Sequence, residues 1–573
     1  VGAALAKSAL VLLLLLAVRR GETFELRLAF LPGVELFLHA DAWSLLFLTL
    51  STLLWLLTTI YAIGYLAQSH HRSRFFGFFG LCVGSTAGIA LSGNLLTFLV
   101  FYELLTLTTY PLVVHKGNAE SMRAGRLYLA YTLSGGALFL AGTVWLRTIA
   151  GPLDFTAAGL LPAIEGLDPD VLRAIFVLLI AGLGVKAALV PLHAWLPAAM
   201  VAPAPVSALL HAVAVVKAGA FGIARVVYDV YGVTFAAGLG LTLPLALVAA
   251  ATILYGSVRA VFQDGLKRRL AFSTVSQVSY IALGTAIAGP VATVGGIIHL
   301  VHQGLMKITL FFCAGNLDAV LGIHRVSAMH GVGRRMPWTM AAFTVGALGM
   351  IGVPPAAGFV SKWYLGLGAA EVGADWAIAV LVGSSLLNAL YFLPILYLAW
   401  FRPLPANAPA AGPGAGREAP WTLLLPPVVT AAIALAAGVL AKSPFSPLEW
   451  ARLITAREYG VDPLTALAAG PIDVLVPAAV VAPLAAAAAA LHRRTRALAL
   501  PLTAVAAVPA VALALVPAEG PAAHLPWVFA GSVLELDATG RTFLLFTAPL
   551  WLLAAVAATG YLRADPARGR FAG

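Results

Sequence analysis

The chain has 573 residues, of which 61% are hydrophobic and only 10% charged, with a mean hydropathy of +0.94 and a formal net charge of +11. A water-soluble protein of this size could not hide so much apolar surface and keep a wet exterior. A transmembrane barrel is excluded too, because the apolar stretches run to about 17–25 residues instead of alternating over ten.

In chain order, sixteen stretches read as membrane-spanning helices: 1–18, 41–66, 75–92, 94–114, 128–149, 173–200, 205–230, 240–262, 270–288, 291–319, 338–366, 376–401, 421–441, 475–491, 499–516 and 542–562. The expected fold class is therefore all-α, a polytopic membrane protein of about sixteen transmembrane helices. The opening VGAALAKSALVLLLLLAVRR is read as a membrane helix, since no small-residue cleavage site follows it. A start at Val1 implies an N-terminus further upstream or an alternative start codon. Cys82 and Cys313 fall inside apolar stretches and read as buried, inert thiols.

The connecting loops sort by charge. One set carries Arg72 and Arg74, then Lys116, Arg123 and Arg126, then Lys267, Arg268 and Arg269, and near the end Arg493, Arg494 and Arg496. The alternate set carries Asp154, Glu165, Asp168 and Asp170, then Glu371 and Asp375. Positively charged loops stay in the cytoplasm, so both chain ends are expected there, and the net charge reports topology with no need for a nucleic acid partner. Near the end the chain repeats itself: Asp41–Gly77 and Asp537–Gly573 share sixteen identities in 37 ungapped positions, including DA, LWLL and GYL. The stretch 402–420 is a Pro/Gly/Ala linker.

The informative residues are the polar ones at membrane depth. Glu103 sits in the middle of LLTFLVFYELLTLTTYPLVV, and Lys186 lies in AGLGVKAALVPLHAWLP, which Pro191 and Pro197 must break. His211 and Lys217 share the next span, and His299, His302 and Lys307 lie together in IIHLVHQGLMKITLFF. Lys362 follows a second interruption at Pro354, Pro355 and Gly358. A single intramembrane lysine can snorkel, and a single histidine can simply bond a carbonyl. Five charged residues in five spans favour a connected polar chain for proton or ion translocation over static polar glue. Two broken spans, five spans apart, predict two halves of inverted orientation. The domains expected are N-terminal helices 1–74, repeats at 75–230 and 238–402, a linker with an extra helix at 403–470, and a three-helix partial repeat at 471–573.

The segments GVKAALVPLHAWLPAAMVAPAPVSALLHAVAVVKAG, SQVSYIALG, HQGLMKITLFFCAG and GVPPAAGFVSKWYL resemble the antiporter-like subunit family. That family comprises proton-pumping membrane subunits of respiratory complex I, related hydrogenase subunits and large subunits of Mrp-type Na+/H+ antiporters. The likeness covers about residues 20–440, and the short GFVSKWYL form is most similar to the D-type subunits of Mrp antiporters. It implies that Glu103 pairs with Lys186, that Lys217 with His211 passes protons onward, and that Lys307 with His299 and His302 links two half-channels. Lys362 would stand near the exit. The histidines depart from the family pattern, lying eight and five residues before Lys307 where many relatives have eight and four. The chain also starts one helix short of most members.

The resemblance implies a proton-translocating subunit of an Mrp-like monovalent cation/H+ antiporter in a bacterial inner membrane, with protons and a cation such as Na+ as its ligands. A pumping subunit of a redox-driven, NADH:quinone oxidoreductase-like complex or a membrane-bound hydrogenase is the alternative. A non-conducting scaffold is a third reading. Its partners would be other membrane subunits, including a second antiporter-like chain docked by 471–573. No cofactor or metal is expected on this chain, since it has no GxGxxG in context, no P-loop and no Cys cluster.

Overall fold

In the computed structural model, residues 1–403 and 418–460 are described, together with the short pieces 505–508, 510–511, 522–525, 532–535, 544–545 and 547–553. The chain divides into two compact units, Val1–Leu464 and Thr465–Gly573.

The first unit opens with α1 (Gly2–Arg19) and an antiparallel hairpin, β1 (Glu25–Leu31) and β2 (Val34–His39). Then come α2 (Ala42–Tyr65), α3 (Arg72–Leu91), α4 (Leu95–Val113), α5 (Ala119–Ala150) and α6 (Pro169–Ala187). Short polar side chains start many of these helices: Asp41, Asn94, Asn118 and Asp168 each accept from a backbone N–H within the first turn. α6 stops at Ala187, and Ala188 takes the left-handed conformation with φ 57°. The short α7 (Trp195–Ala198) and α8 (Ala204–Ala208) follow, then a π-helical stretch at Leu209–Val213, α9 (Val215–Arg225) and a second π stretch at Val226–Tyr231. The run 173–200 is thus a broken span, as Pro191 and Pro197 require. The two π-helical stretches carry no signal of their own in the sequence.

The remainder comprises α10 (Val233–Gly238), α11 (Thr242–Val261), α12 (Leu266–Ala286), α13 (Pro290–Leu321), α14 (Val332–Arg335), α15 (Pro337–Ile351), α16 (Ala357–Glu371), α17 (Asp375–Trp400), α18 (Trp421–Val439) and α19 (Pro447–Tyr459). α15 and α16 are the two halves of the second broken span. The break starts at Gly352, whose φ of 96° ends α15, and runs through Pro354 and Pro355.

Ten helices among the described residues are long and apolar enough to cross a membrane, against an expectation of about sixteen. Thirteen of those stretches fall on described residues, and each holds helix. The difference from ten has physical causes: the second break leaves two helices of 15 residues, α6 carries Asp170, Arg173 and Lys186, and α12 is rich in Ser, Thr and Gln. The other three stretches, 475–491, 499–516 and 542–562, lie largely outside the described residues. In the second unit a hairpin, β3 (Ala522–Leu525) and β4 (Ser532–Glu535), precedes Asp537 as β1 and β2 precede Asp41.

The packing is inside-out relative to a soluble protein. Leu133, Leu140 and Val144 on α5, Leu243 and Leu247 on α11, and Leu386 and Leu390 on α17 are exposed. Ser273, Ser276, Gln277 and Asn316 are fully buried. α13 is the hub, packing on α2, α8, α12, α15, α16, α18 and α19. Small residues allow these backbones to approach. A methyl group on Gly358 would run into the Gly349 carbonyl oxygen across the second break. Gly358→Ala is therefore expected to cost about 1–3 kcal/mol of stability, read as a lower apparent Tm of the solubilised protein; an unchanged Tm would contradict this tight packing.

Candidate functional site

The eight polar residues expected to act together lie on six helical segments of the first unit. Glu103 projects from α4 toward α5, where Gly136 makes room: a Cβ there would sit 2.6 Å from the carboxyl carbon. Glu103 is half-buried, and its Oε1 has no hydrogen-bond partner. Lys186, in the last turn of α6, is fully buried. Its ammonium donates to the Tyr102 carbonyl and lies 3.3 Å from the centre of the Tyr102 ring. Lys186 therefore rests on the residue preceding Glu103. The carboxylate is a near neighbour whose field reaches the ammonium without a direct ion pair.

The other lysines are seated in the same way. Lys217, in the first turn of α9, donates to the Leu300 carbonyl of α13 at 2.5 Å. Lys307 on α13 donates to the Leu270 carbonyl at 3.2 Å and to Ser273 Oγ at 2.6 Å. Lys362 on α16 donates to the Met350 and Ile351 carbonyls, both at 2.9 Å, and to Ser385 Oγ at 3.0 Å. Met350 and Ile351 end α15, where a helix terminus leaves carbonyls free and concentrates negative partial charge. The break in the span thus makes a seat for an ammonium at membrane depth. Its counterpart is arranged differently, with Lys186 ahead of the first break and Lys362 beyond the second.

The histidines fill the space between. His211 belongs to the π-helical stretch, against the Phe311 ring at 4.5 Å, with neither ring nitrogen bonded to protein. His299 pairs its Nδ1 with Ser361 Oγ at 2.8 Å and stacks on Tyr280, whose ring also lies 5.3 Å from the Lys362 ammonium. His302 has no protein partner on either nitrogen. Buried polar atoms of this kind are commonly satisfied by ordered water. The arrangement suits the passage of protons between titratable groups.

Sequence reasoning missed the side chains that join Lys307 to Lys362. Ser273 Oγ lies 2.8 Å from Tyr391 Oη, and Tyr391 Oη lies 2.6 Å from Asn388 Oδ1. Asn388 Nδ2 in turn donates at 3.0 Å to the Met350 carbonyl that also holds Lys362. All of these groups are buried except Lys362, which is half-buried. A signal was present: Asn388 and Tyr391 stand three residues apart on one face of an apolar span.

Residues 92–388 match the family model for NADH:quinone oxidoreductase/Mrp antiporter transmembrane proteins. Residues 33–76 match that for the N-terminus of chain 5 of NADH-ubiquinone oxidoreductase, complex I. The chain is 38% identical to the N subunit of the NADH-quinone oxidoreductase of Desulforudis audaxviator over 426 residues, covering 72% of this chain and 83% of that one. It is 28% identical to the D subunit of the Na(+)/H(+) antiporter of Bacillus subtilis, over 62% of this chain and 71% of the other. Among solved structures it resembles a chain of the Mrp complex from Dietzia sp. DQ12-45-1b, with a TM-score of 0.69 and 25% identity, covering 80% of this chain and 91% of that one. It spans only 34% of the A/B subunit of a probable K(+)/H(+) antiporter of Rhizobium meliloti and 50% of the Escherichia coli hydrogenase-4 component B.

Proposed function

We propose that this chain, which belongs to the NADH:quinone oxidoreductase/Mrp antiporter transmembrane family, is a proton-translocating subunit of a multisubunit membrane complex. One observation carries the reading: four lysines at membrane depth are each held by a backbone carbonyl instead of a carboxylate. A lysine so placed has no permanent counter-charge, so binding and losing a proton is its natural response to charge arriving nearby. Glu103 and Lys186 would open the path, Lys217 with His211 would pass protons on, Lys307 with His299 and His302 would link the halves, and Lys362 would stand near the exit.

An Mrp-like monovalent cation/H+ antiporter is the first reading, supported by the likeness to the Dietzia Mrp complex over most of both chains. A pumping subunit of a redox-driven complex is the second, favoured by the 38% identity to a NADH-quinone oxidoreductase subunit. The subunits that co-purify with the chain separate the two. Small hydrophobic subunits alone support the antiporter, whereas iron–sulfur proteins overturn it in favour of redox-driven pumping.

The charge alternation of the loops supports a topology with both ends on the cytoplasmic side of a bacterial inner membrane. Cysteines introduced as Arg268→Cys and Asp168→Cys should label from opposite faces of the membrane. Labelling of both from one face would refute that topology.

A further inference from the structure

A second cluster of buried charge lies apart from the lysines, where α2 begins and α19 packs. Arg225, on the same span as Lys217, holds Asp41 at 2.8 Å through both terminal nitrogens and Asp229 at 2.9 Å. Arg457 on α19 reaches the same two aspartates, at 2.7 and 2.9 Å. Two arginines and two aspartates thus close into a balanced square, and Arg225 also donates to the Ser44 hydroxyl at 3.0 Å.

Glu458, the next residue on α19, is the charge left over. It is 4% exposed. Its Oε2 accepts from the Ala158 backbone N–H at 3.2 Å. Its Oε1 is buried without a hydrogen bond, although Arg457 Nε lies 3.5 Å away. Two arginines against three carboxylates leave one uncompensated negative charge, and a buried uncompensated carboxylate is costly unless it takes a proton. A group of hydroxyls lies within reach of the Glu458 charge: Tyr459 Oη is 2.9 Å from Thr293 Oγ1, and Tyr228 donates to Thr293 at 3.4 Å. Thr293 begins the helix that carries His299, and Tyr228 shares its span with Lys217.

We propose that Glu458 is a proton-holding carboxyl at this end of the bundle, exchanging protons between the interior lysine path and the water on that side. The proposal rests on the proton-translocating reading above. A proton arriving at Glu458 forms an O–H bond on Oε1 and neutralises the cluster; its release to water breaks that bond and restores the negative charge. The charged and titratable groups that face the carboxyl are Asp41 from α2, Arg225, Tyr228 and Asp229 from the span ending at Tyr231, and Arg457 and Tyr459 from α19. Glu371 at the end of α16 acts on Tyr459. Burial first, and then the Asp229 charge, push the Glu458 carboxyl up from 4.5 to about 7. With the folded value raised, the protonated form is kept as pH rises past 4.5 and is lost through about 7.

The test uses the intact complex in proteoliposomes. Infrared difference spectra should contain a protonated-carboxyl band that titrates near pH 7 and disappears in Glu458→Gln, which keeps the shape and the Ala158 contact. Proton transport should fall about tenfold or more in Glu458→Gln and recover in part in Glu458→Asp, which restores a titratable group. Absence of the band overturns the proton-holding role, and unchanged transport in Glu458→Gln overturns its place on the path. The band is independent of transport, so failure of the lysine variants to affect transport would count against the proposed function and leave the spectroscopic result standing.

Discussion

Lys186→Ala should abolish proton-coupled transport, a loss of about a hundredfold or more, while the complex still assembles. The ammonium is fully buried and rests on the Tyr102 carbonyl and ring, so its removal takes away a titratable group without breaking a direct ion pair. Lys186→Arg is the sharper variant. Arginine keeps the positive charge but does not release its proton at any pH of interest, so a relay fails while a fixed-charge role survives. Glu103→Ala should impair transport strongly too, since Glu103 is the carboxylate whose field reaches Lys186. Glu103→Gln should do nearly as much harm, because the shape is kept and only the charge is lost. A pH-sensitive dye in vesicles reads all four variants. Transport near the normal rate in both Lys186→Arg and Glu103→Gln would end the relay reading of this pair.

What could be read from the sequence was the placement of expensive residues. A lysine inside an apolar run is visible as a letter, and the prolines at 191, 197, 354 and 355 show where the helical ladder must fail. What could not be read was the partner of each charge. The resemblance implied that Glu103 holds Lys186 directly, whereas here the lysine takes the carbonyl of Tyr102, and backbone acceptors leave no trace in residue identity. The same blindness applies to Lys217 and Leu300, where any residue would supply the same oxygen. The π-helical stretch holding His211 is hidden for a related reason, since its composition does not differ from that of an α-helix. The Arg225–Asp229 pair was legible in principle, being four residues apart on one span. Its partners Asp41 and Arg457 come from the two ends of the first unit, and only the fold brings them together.

The connection between Lys307 and Lys362 yields the second large effect. Lys307→Ala should abolish transport, because Lys307 is the fully buried lysine on the central helix and its loss leaves Ser273 without its cationic partner. Tyr391→Phe asks a narrower question. The Tyr391 hydroxyl has one hydrogen and two close neighbours, Ser273 and Asn388. If that hydrogen serves the Asn388 oxygen, which cannot donate in return, Ser273 must donate to Tyr391 while accepting from Lys307. Every bond from Lys307 to Asn388 then points the same way, and each polarises the next. Removing the hydroxyl breaks this chain at its centre and leaves two buried polar groups short of a partner, at a cost of about 1–3 kcal/mol each. Transport should drop about tenfold with the complex intact, and Ser273→Ala should produce a loss of the same order. The two losses should not multiply in the double variant, because either change alone interrupts the same chain. Independent, multiplying effects would mean that Ser273 and Tyr391 merely pack beside the lysines, and the link between Lys307 and Lys362 would then have to run through His299 and Ser361 instead.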